Sequence, residues 1–170
     1  MLKIRPEKKG DYEAIYELNK TAFGGEVEAK LVDAIRSSEY YIPGLSIVAE
    51  ESGSILGHIL FSKISIEAEN MEIPAIALAP MAVLPEHQGK GIGSTLVREG
   101  MRECMRLGHK VVVVIGHAGY YPRFGFVSAS SKGLKSPFPV PDESFMVYEA
   151  DGGLRGVGGT VKYSEMFYEE

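Results

Sequence analysis

From residue 71 to residue 116 the chain passes through a long apolar stretch, a cluster of glycines, an amphipathic segment and a second apolar stretch. This order restricts the fold more than any other feature. "MEIPAIALAPMAVLP" (71–85) reads as a strand. The spacing then predicts a helix from about Gly91 to Leu107. Ile92, Leu96, Val97, Met101 and Cys104 recur three and four apart, while Arg98, Glu99, Arg102, Glu103 and Arg106 fill the other face, and Gly108 suits the C′ position. "KVVVVIG" (110–116) is apolar throughout, as a strand buried on both faces would be. Two strands joined by such a crossover run parallel. The fold class is therefore α/β, with a mixed sheet.

The remaining chain supplies antiparallel pieces. "LKIRP" reads as a first strand, and Asp11 is placed to cap a helix that buries Tyr12, Ile15, Leu18 and Phe23. A second helix spans 26–38, with Val27, Leu31 and Ile35 inward. Residues 45–68 form a hairpin turning at Glu51–Ser54. "AGYYPRFGF" (118–126) is a short helix or turn, "SSKGLKSPFPVPDE" a loop, and "SFMVYEA" and "GTVKYSEMF" closing strands. With no internal repeat and no linker, residues 1–170 are expected to form a single domain. At 45% hydrophobic and 24% charged residues, the chain can build a core. Cys104, the only cysteine, excludes an internal disulfide and a cysteine zinc site, and its place on the apolar stripe makes it a core thiol. The start carries no signal-peptide pattern, and no apolar run approaches the roughly 20 residues of a membrane span, so a cytoplasmic setting is expected. A net charge of −5 argues against nucleic acid as partner.

Gly89, Gly91 and Gly93 crowd the start of the central helix, where glycine weakens helix formation. Exposed amides at a helix N-terminus, with the helix dipole behind them, make an anion site. The P-loop pattern fails because Leu84 holds the first glycine's place, and the dinucleotide pattern fails at Leu96. The latter also wants an acid after the next strand, yet no Asp or Glu occurs between Cys104 and Val140. That stretch carries Arg106, Lys110, Arg123, Lys132 and Lys135, which suits a polyanion or an ordinary solvated basic patch equally. Pro80, inside an otherwise central strand, marks either a bulge or the strand's end. His58 and His109 have no partner at metal spacing, and His87 flanks the glycines.

Gln88-Gly89-Lys90-Gly91-Ile92-Gly93 resembles the Q/R-x-x-G-x-G/A pyrophosphate loop of the GNAT superfamily, the Gcn5-related N-acetyltransferases. The preceding "MAVLP" is similar to the family's fourth-strand ending. "YYPRFGF" resembles its Y-x-x-x-G-F segment, with Tyr121, Gly125 and Phe126 on the fixed positions. The details are most like its YhbS-like branch. The resemblance implies a splayed central sheet flanked by helices, acetyl-CoA as acyl-donor cosubstrate, and no metal. Backbone amides of Gln88, Gly89, Lys90, Gly91, Ile92, Gly93 and Ser94 would hold the pyrophosphate. Met81, Ala82 and Val83 would line the pantetheine arm, with one freed N–H polarising the thioester carbonyl. It further implies direct attack by a primary amine, on a small molecule or a peptide, with Tyr121 as general acid and Tyr120 as the fallback. The family's strand-four carboxylate position holds Ala77, so the base stays open among Glu26, Glu28, His117 and water. The resemblance allows a homodimer, for which no residue argues. A domain that holds CoA without turnover is the alternative from another class.

Overall fold

Three long strands form an antiparallel meander at the centre of the molecule, whose computed structural model describes residues 1–168. Glu169 and Glu170, part of the expected domain, lie outside the described residues. β2 (Tyr41–Glu51) and β3 (Ser54–Ala68) are joined by Ser52 and Gly53, both at positive φ, as a two-residue turn between twisted strands requires. β3 turns into β4 (Met71–Val83) through Glu69 and Asn70, the latter at φ 61°. β1 (Lys3–Pro6) pairs with β2 at one edge. On the other side of β4 come β5 (Val111–Ile115), β8 (Phe145–Glu149) and β6 (Val127–Ser128), giving the order β1-β2-β3-β4-β5-β8-β6. β9 (Gly159–Lys162) pairs with β3 at Ser65–Glu67 and with β7 (Leu134–Lys135). The region expected to be a loop thus contains β7 and a 3-10 turn, Ala129–Lys132. Leu134 is buried and recruits it to the sheet.

Helices cover both faces, as side-chain alternation demands. Ile47, Ala49, Ile59 and Phe61 point to α3 (Ile92–Arg106), packing on Ile92, Leu96 and Val97. Val48 and Leu60 point the other way, to Ile15 of α1 (Tyr12–Phe23) and to Val32 and Ile35 of α2 (Val27–Arg36). A third cluster, including Ile66, Ala77, Val113, Val147 and Val161, closes the core beside β5. Three expected core residues are at the surface: Tyr12, Phe23 and Val27 are 36%, 44% and 56% exposed. Tyr12 lies at an end of α1 and stacks its ring under the Arg36 guanidinium at 3.8 Å. Phe23 ends α1 and Val27 begins α2, so both sit at the turn between the two helices. Asp11 stands at the N-cap position of α1 as expected, but its side chain makes no capping bond to the helix. Its carboxylate accepts from Arg5 Nη1 and Nη2 at 2.7 and 3.0 Å and from Lys8 N at 2.7 Å, so it ties β1 to the turn ahead of the helix.

Two departures from sheet regularity matter for function. Between the pairs Phe61↔Leu78 and Ile59↔Met81, Leu60 alone faces both Ala79 and Pro80. β4 therefore carries one extra residue, and Pro80 sits in a bulge where its missing N–H disturbs no ladder. The Ala79–Pro80 peptide is cis. Secondly, β4 and β5 run parallel as expected, but pair only at Ile76↔Val112 and Ala77↔Val113. Beyond those pairs β4 continues to Val83 and β5 to Ile115, and the sheet is splayed between them.

Candidate active site

The splay and the glycine loop meet at the C-terminal end of β4. Leu84 N donates to Leu56 O, and the register pairs Ala82 with His58. Strict alternation in an antiparallel ladder then turns the amides of Ala82 and Leu84 toward β3. Those of Met81 and Val83 face the opposite flank, where β5 no longer pairs. Of the three strand residues expected to face the cleft, Ala82 thus turns its amide away. The Gln88 side chain donates from Nε2 to Val83 O at 3.0 Å, pinning the loop to the end of the strand.

The loop itself is built by conformation more than by crowding. Gly89 and Gly91 adopt φ of 80° and 85°, and a Cβ at either would meet nothing within 4 Å. Gly93 differs: its φ is ordinary, and a Cβ would stand 3.4 Å from Met81 Cε and 3.5 Å from the Tyr120 hydroxyl. Gly91 is the N-cap of α3, no side chain caps the helix, and its first turn holds no acid. Among the described residues the amides of 89–94 find no acceptor outside the helix. This leaves a row of unsatisfied donors on the positive end of the helix dipole. They line a pocket of about 340 Å³ whose other walls are Val83, His87, Tyr120 and Arg123. Lys90 Nζ lies 3.3 Å from His87 Nδ1 at its rim.

The two adjacent tyrosines divide between the two features. Tyr120 places its hydroxyl 2.9 Å from Ser94 Oγ, in the loop pocket, with Arg123 stacked 4.7 Å over its ring. Tyr121 is buried, edge-on to Tyr120 and Phe126. Its ring fills the space beside Gly116, the residue after β5, where a Cβ would come within 2.4 Å of Tyr121 Cε2. Tyr121 therefore stands at the end of β5 where the splay opens. Burial, with a smaller contribution from Tyr120, pushes its phenol up to about 12. The candidate bases remain apart from any such constellation. Glu26 accepts from the Tyr16 hydroxyl at 2.6 Å, a bond that holds its carboxyl below the usual range. Glu28 is half-buried, and His117 is exposed at the start of the turn that carries the tyrosines. Among the described residues no three His, Cys, Asp or Glu cluster as metal ligands.

One polar constellation has little signature in the sequence. Glu7 Oε1 and Oε2 receive Arg36 Nη2 and Nε at 2.8 and 2.9 Å, the Tyr41 hydroxyl at 2.8 Å and Ser46 Oγ at 2.7 Å. Ser46 Oγ also lies 2.9 Å from His58 Nε2. Because the serine proton goes to Glu7, His58 carries its proton on Nε2, leaving Nδ1 to face Asn19 Nδ2 at 3.5 Å. Burial pushes the imidazole down to about 4, so it is neutral. Glu7 is drawn up by its own burial, yet the Arg36, Ser46 and Tyr41 hydrogen bonds outweigh this and leave it lowered. The only hint in the sequence is a histidine inside an apolar strand. Cys104 is a core thiol as expected, raised to about 12 by burial.

A parted sheet thus lies beside an amide-lined helix N-terminus, with a buried tyrosine next to the end of β5. A family model for the acetyltransferase (GNAT) domain matches residues 3–129, and the chain belongs to that family of N-acetyltransferases. Two Escherichia coli proteins are similar in sequence. The uncharacterized N-acetyltransferase YjhQ is 42% identical over 79% of this chain and 75% of its own length. The uncharacterized N-acetyltransferase YhbS is 33% identical over 96% and 97%. The crystal structure of E. coli YhbS in complex with CoA superposes with a TM-score of 0.90 at 31% identity, covering 99% of this chain and 92% of that one. A GNAT acetyltransferase from Brucella melitensis in complex with acetyl-CoA gives 0.78 at 31%, covering 98% of each.

Proposed function

We propose that residues 1–170 form one domain that transfers an acetyl group from acetyl-CoA to a primary amine of a small molecule or peptide, with Tyr121 as general acid. The observation that carries this reading is the row of acceptor-free amides at 89–94 beside the β4–β5 splay. These residues fit the coenzyme. Gly89 to Ser94 would grip its pyrophosphate, with Lys90 and Arg123 adding positive charge. Met81 and Val83 would offer their outward amides to the arm in the cleft, one of them to the thioester oxygen. Acetyl-CoA supplies an acyl group activated as a thioester.

Tyr121 then has one task. It holds a proton beside the sulfur while the amine attacks the carbonyl. A thiol pKa of about 8.5 against a phenol near 12 makes complete transfer uphill, so the hydroxyl acts by hydrogen-bonding the departing thiolate. Tyr120, held by Ser94, serves as a wall of the phosphate pocket. An amine arriving protonated must give up its proton in the cleft; Glu26 is engaged by Tyr16 and Ala77 is no base, which leaves Glu28, His117 or water as the acceptor.

The test is thiol release from acetyl-CoA with a broad panel of amines, for the native chain, Tyr121→Phe and Tyr120→Phe. Tyr121→Phe should lower kcat about 100-fold with little change in the KM for acetyl-CoA. Tyr120→Phe should mainly raise that KM. Saturable CoA binding without release for any amine would identify a CoA-holding module and refute catalysis.

A further inference from the structure

A second pocket, of about 380 Å³, lies at the far end of the β4–β5 pair from the glycine loop. β4 begins at Met71, well before its first pairing with β5 at Ile76. Beside that unpaired stretch the chain leaves α3 through Gly108 and His109 and enters β5. The gap is lined by Ile64, Pro74, Ile76 and Val111 and closed by Gly152, Gly153 and Arg155. Its rim carries Lys63, His109, Lys110 and Arg155, and no acid lines it.

The gathering of these cations is unusual in a chain of net charge −5. Most basic residues of the acid-free stretch after Cys104 are accounted for elsewhere. Arg106 pairs with Glu103, Lys132 with Glu149, and Arg123 lines the glycine-loop pocket. Lys63, Lys110 and Arg155 make no salt bridge among the described residues. Glu149, the nearest acid of β8, is taken by Lys132 and by Leu154 N. The closing wall is built rather than loose. Leu154 is buried, and Gly153 sits so close to β5 that a Cβ would come within 2.7 Å of Lys110 Cβ and 2.9 Å of Val111 Cγ2. Arg155 is held at φ 56°, a left-handed conformation that a non-glycine residue adopts only when its surroundings impose it. The imidazole of His109 is lowered by burial and by the Lys63 charge, which leaves a neutral hydrogen-bonding group among three cations.

We propose that this pocket binds a small organic carboxylate, with its charge among Lys63, Lys110 and Arg155 and its apolar body against Pro74, Ile76 and Val111. Lys110 and Arg155 meet no acid in the lining, and Lys63, which also borders a neighbouring hollow with Glu39, Glu72 and Glu165, adds a third cation, so the pocket attracts an anion. The apolar floor favours one with hydrocarbon to bury over a bare inorganic ion. The site is separate from the coenzyme loop, since the two flank opposite ends of the only residues through which β4 and β5 pair.

The test uses the full chain, isotope-labelled for NMR and saturated with CoA so that the glycine loop is filled. Benzoate, benzamide and inorganic phosphate are titrated in turn. Benzoate should shift the amides of Lys110, Val111, Gly152 and Gly153 saturably and raise the His109 pKa. Benzamide and phosphate should bind at least tenfold more weakly. The double variant Lys63→Gln, Arg155→Gln alters only exposed side chains and should weaken benzoate at least tenfold with the folded spectrum kept. Absence of saturable shifts, shifts confined to residues 88–94, or benzamide or phosphate matching benzoate would each overturn the assignment. The same spectra report CoA at residues 88–94 independently, so failure of the coenzyme reading is told apart from failure of this one.

Discussion

Substituting Gly100 by alanine separates two opposing effects of similar size. Gly100 is buried in α3 against Phe61 of β3. In an open helix the change would stabilise by about 1 kcal/mol, since alanine is the better helix former. Here the new Cβ would lie 2.2 Å from Phe61 Cε1 and 2.6 Å from Cζ. Carbon atoms pack at about 3.5–4.0 Å, so ring and helix must part by well over 1 Å. Phe61 has no exposed surface into which to retreat. Overpacking of this severity costs about 3 kcal/mol, so the net effect is a loss of about 2 kcal/mol. Urea unfolding followed by circular dichroism would measure it in Gly100→Ala, Phe61→Leu and the double variant. The double variant should be no less stable than Phe61→Leu alone, because the smaller side chain vacates the contested space. Because α3 carries the glycine loop at its N-terminus, Gly100→Ala should also bind CoA more weakly. Stabilisation by Gly100→Ala, or strict additivity in the double variant, would refute the argument.

The buried imidazole predicts a second, pH-dependent effect. Its folded pKa of about 4 lies below the usual 6.5, so the unfolded chain binds the extra proton first as pH falls. Stability contributed above pH 6.5 should therefore drain away toward pH 4, by about 3 kcal/mol from His58, and His58→Gln should make that window shallower in urea unfolding, the remaining slope including that of His109, which is also lowered. Glu7 and Asp11, both lowered, act only at more acidic pH, so an unchanged slope in His58→Gln between pH 6.5 and 4.5 would contradict the assignment. Arg36→Met should cost about 3 kcal/mol in the same assay by leaving Glu7, whose side chain is 2% exposed, without its cation. Gly91→Ala should lose about 1 kcal/mol through its left-handed backbone, while Gly93→Ala, helical and with its Cβ in ordinary contact, should gain up to about 1 kcal/mol. Since the Tyr121 phenol lies near 12, kcat should show no alkaline limb from it below pH 10, and a limb near 8.5 abolished by Tyr121→Phe would contradict its burial.

How much of this was legible beforehand depended on whether a feature is local. The strand, glycine loop, helix and strand from 71 to 115 could be read because each rests on periodicity within its own segment. The bulge at Pro80 was legible as one of two options, since proline lacks the donor a ladder needs. Asp11 misled because Arg5, brought beside it by the fold, competes for the carboxylate that could have capped α1. Tyr12, Phe23 and Val27 fit an apolar stripe, yet fall at the first or last position of a helix, where the chain leaves them exposed. The chain from Glu7 to His58 and Asn19 joins residues far apart in sequence, and no spacing rule could have assembled it. The acid-free stretch was visible, but its division between two pockets was not, because Lys63 and Arg155 come from outside it.

The last strand has a consequence for where the enzyme can be trimmed. The family match stops at residue 129, yet β8 pairs along the whole of β5, and β9 stitches the C-terminal segment back onto β3. Cutting the polypeptide at that border would strip one whole flank of β5 and bare Ile66 and Val113, leaving the cleft with a single jamb. The tail is a tie-beam for the doorway, and shortening it should be felt first in how wide the opening stands.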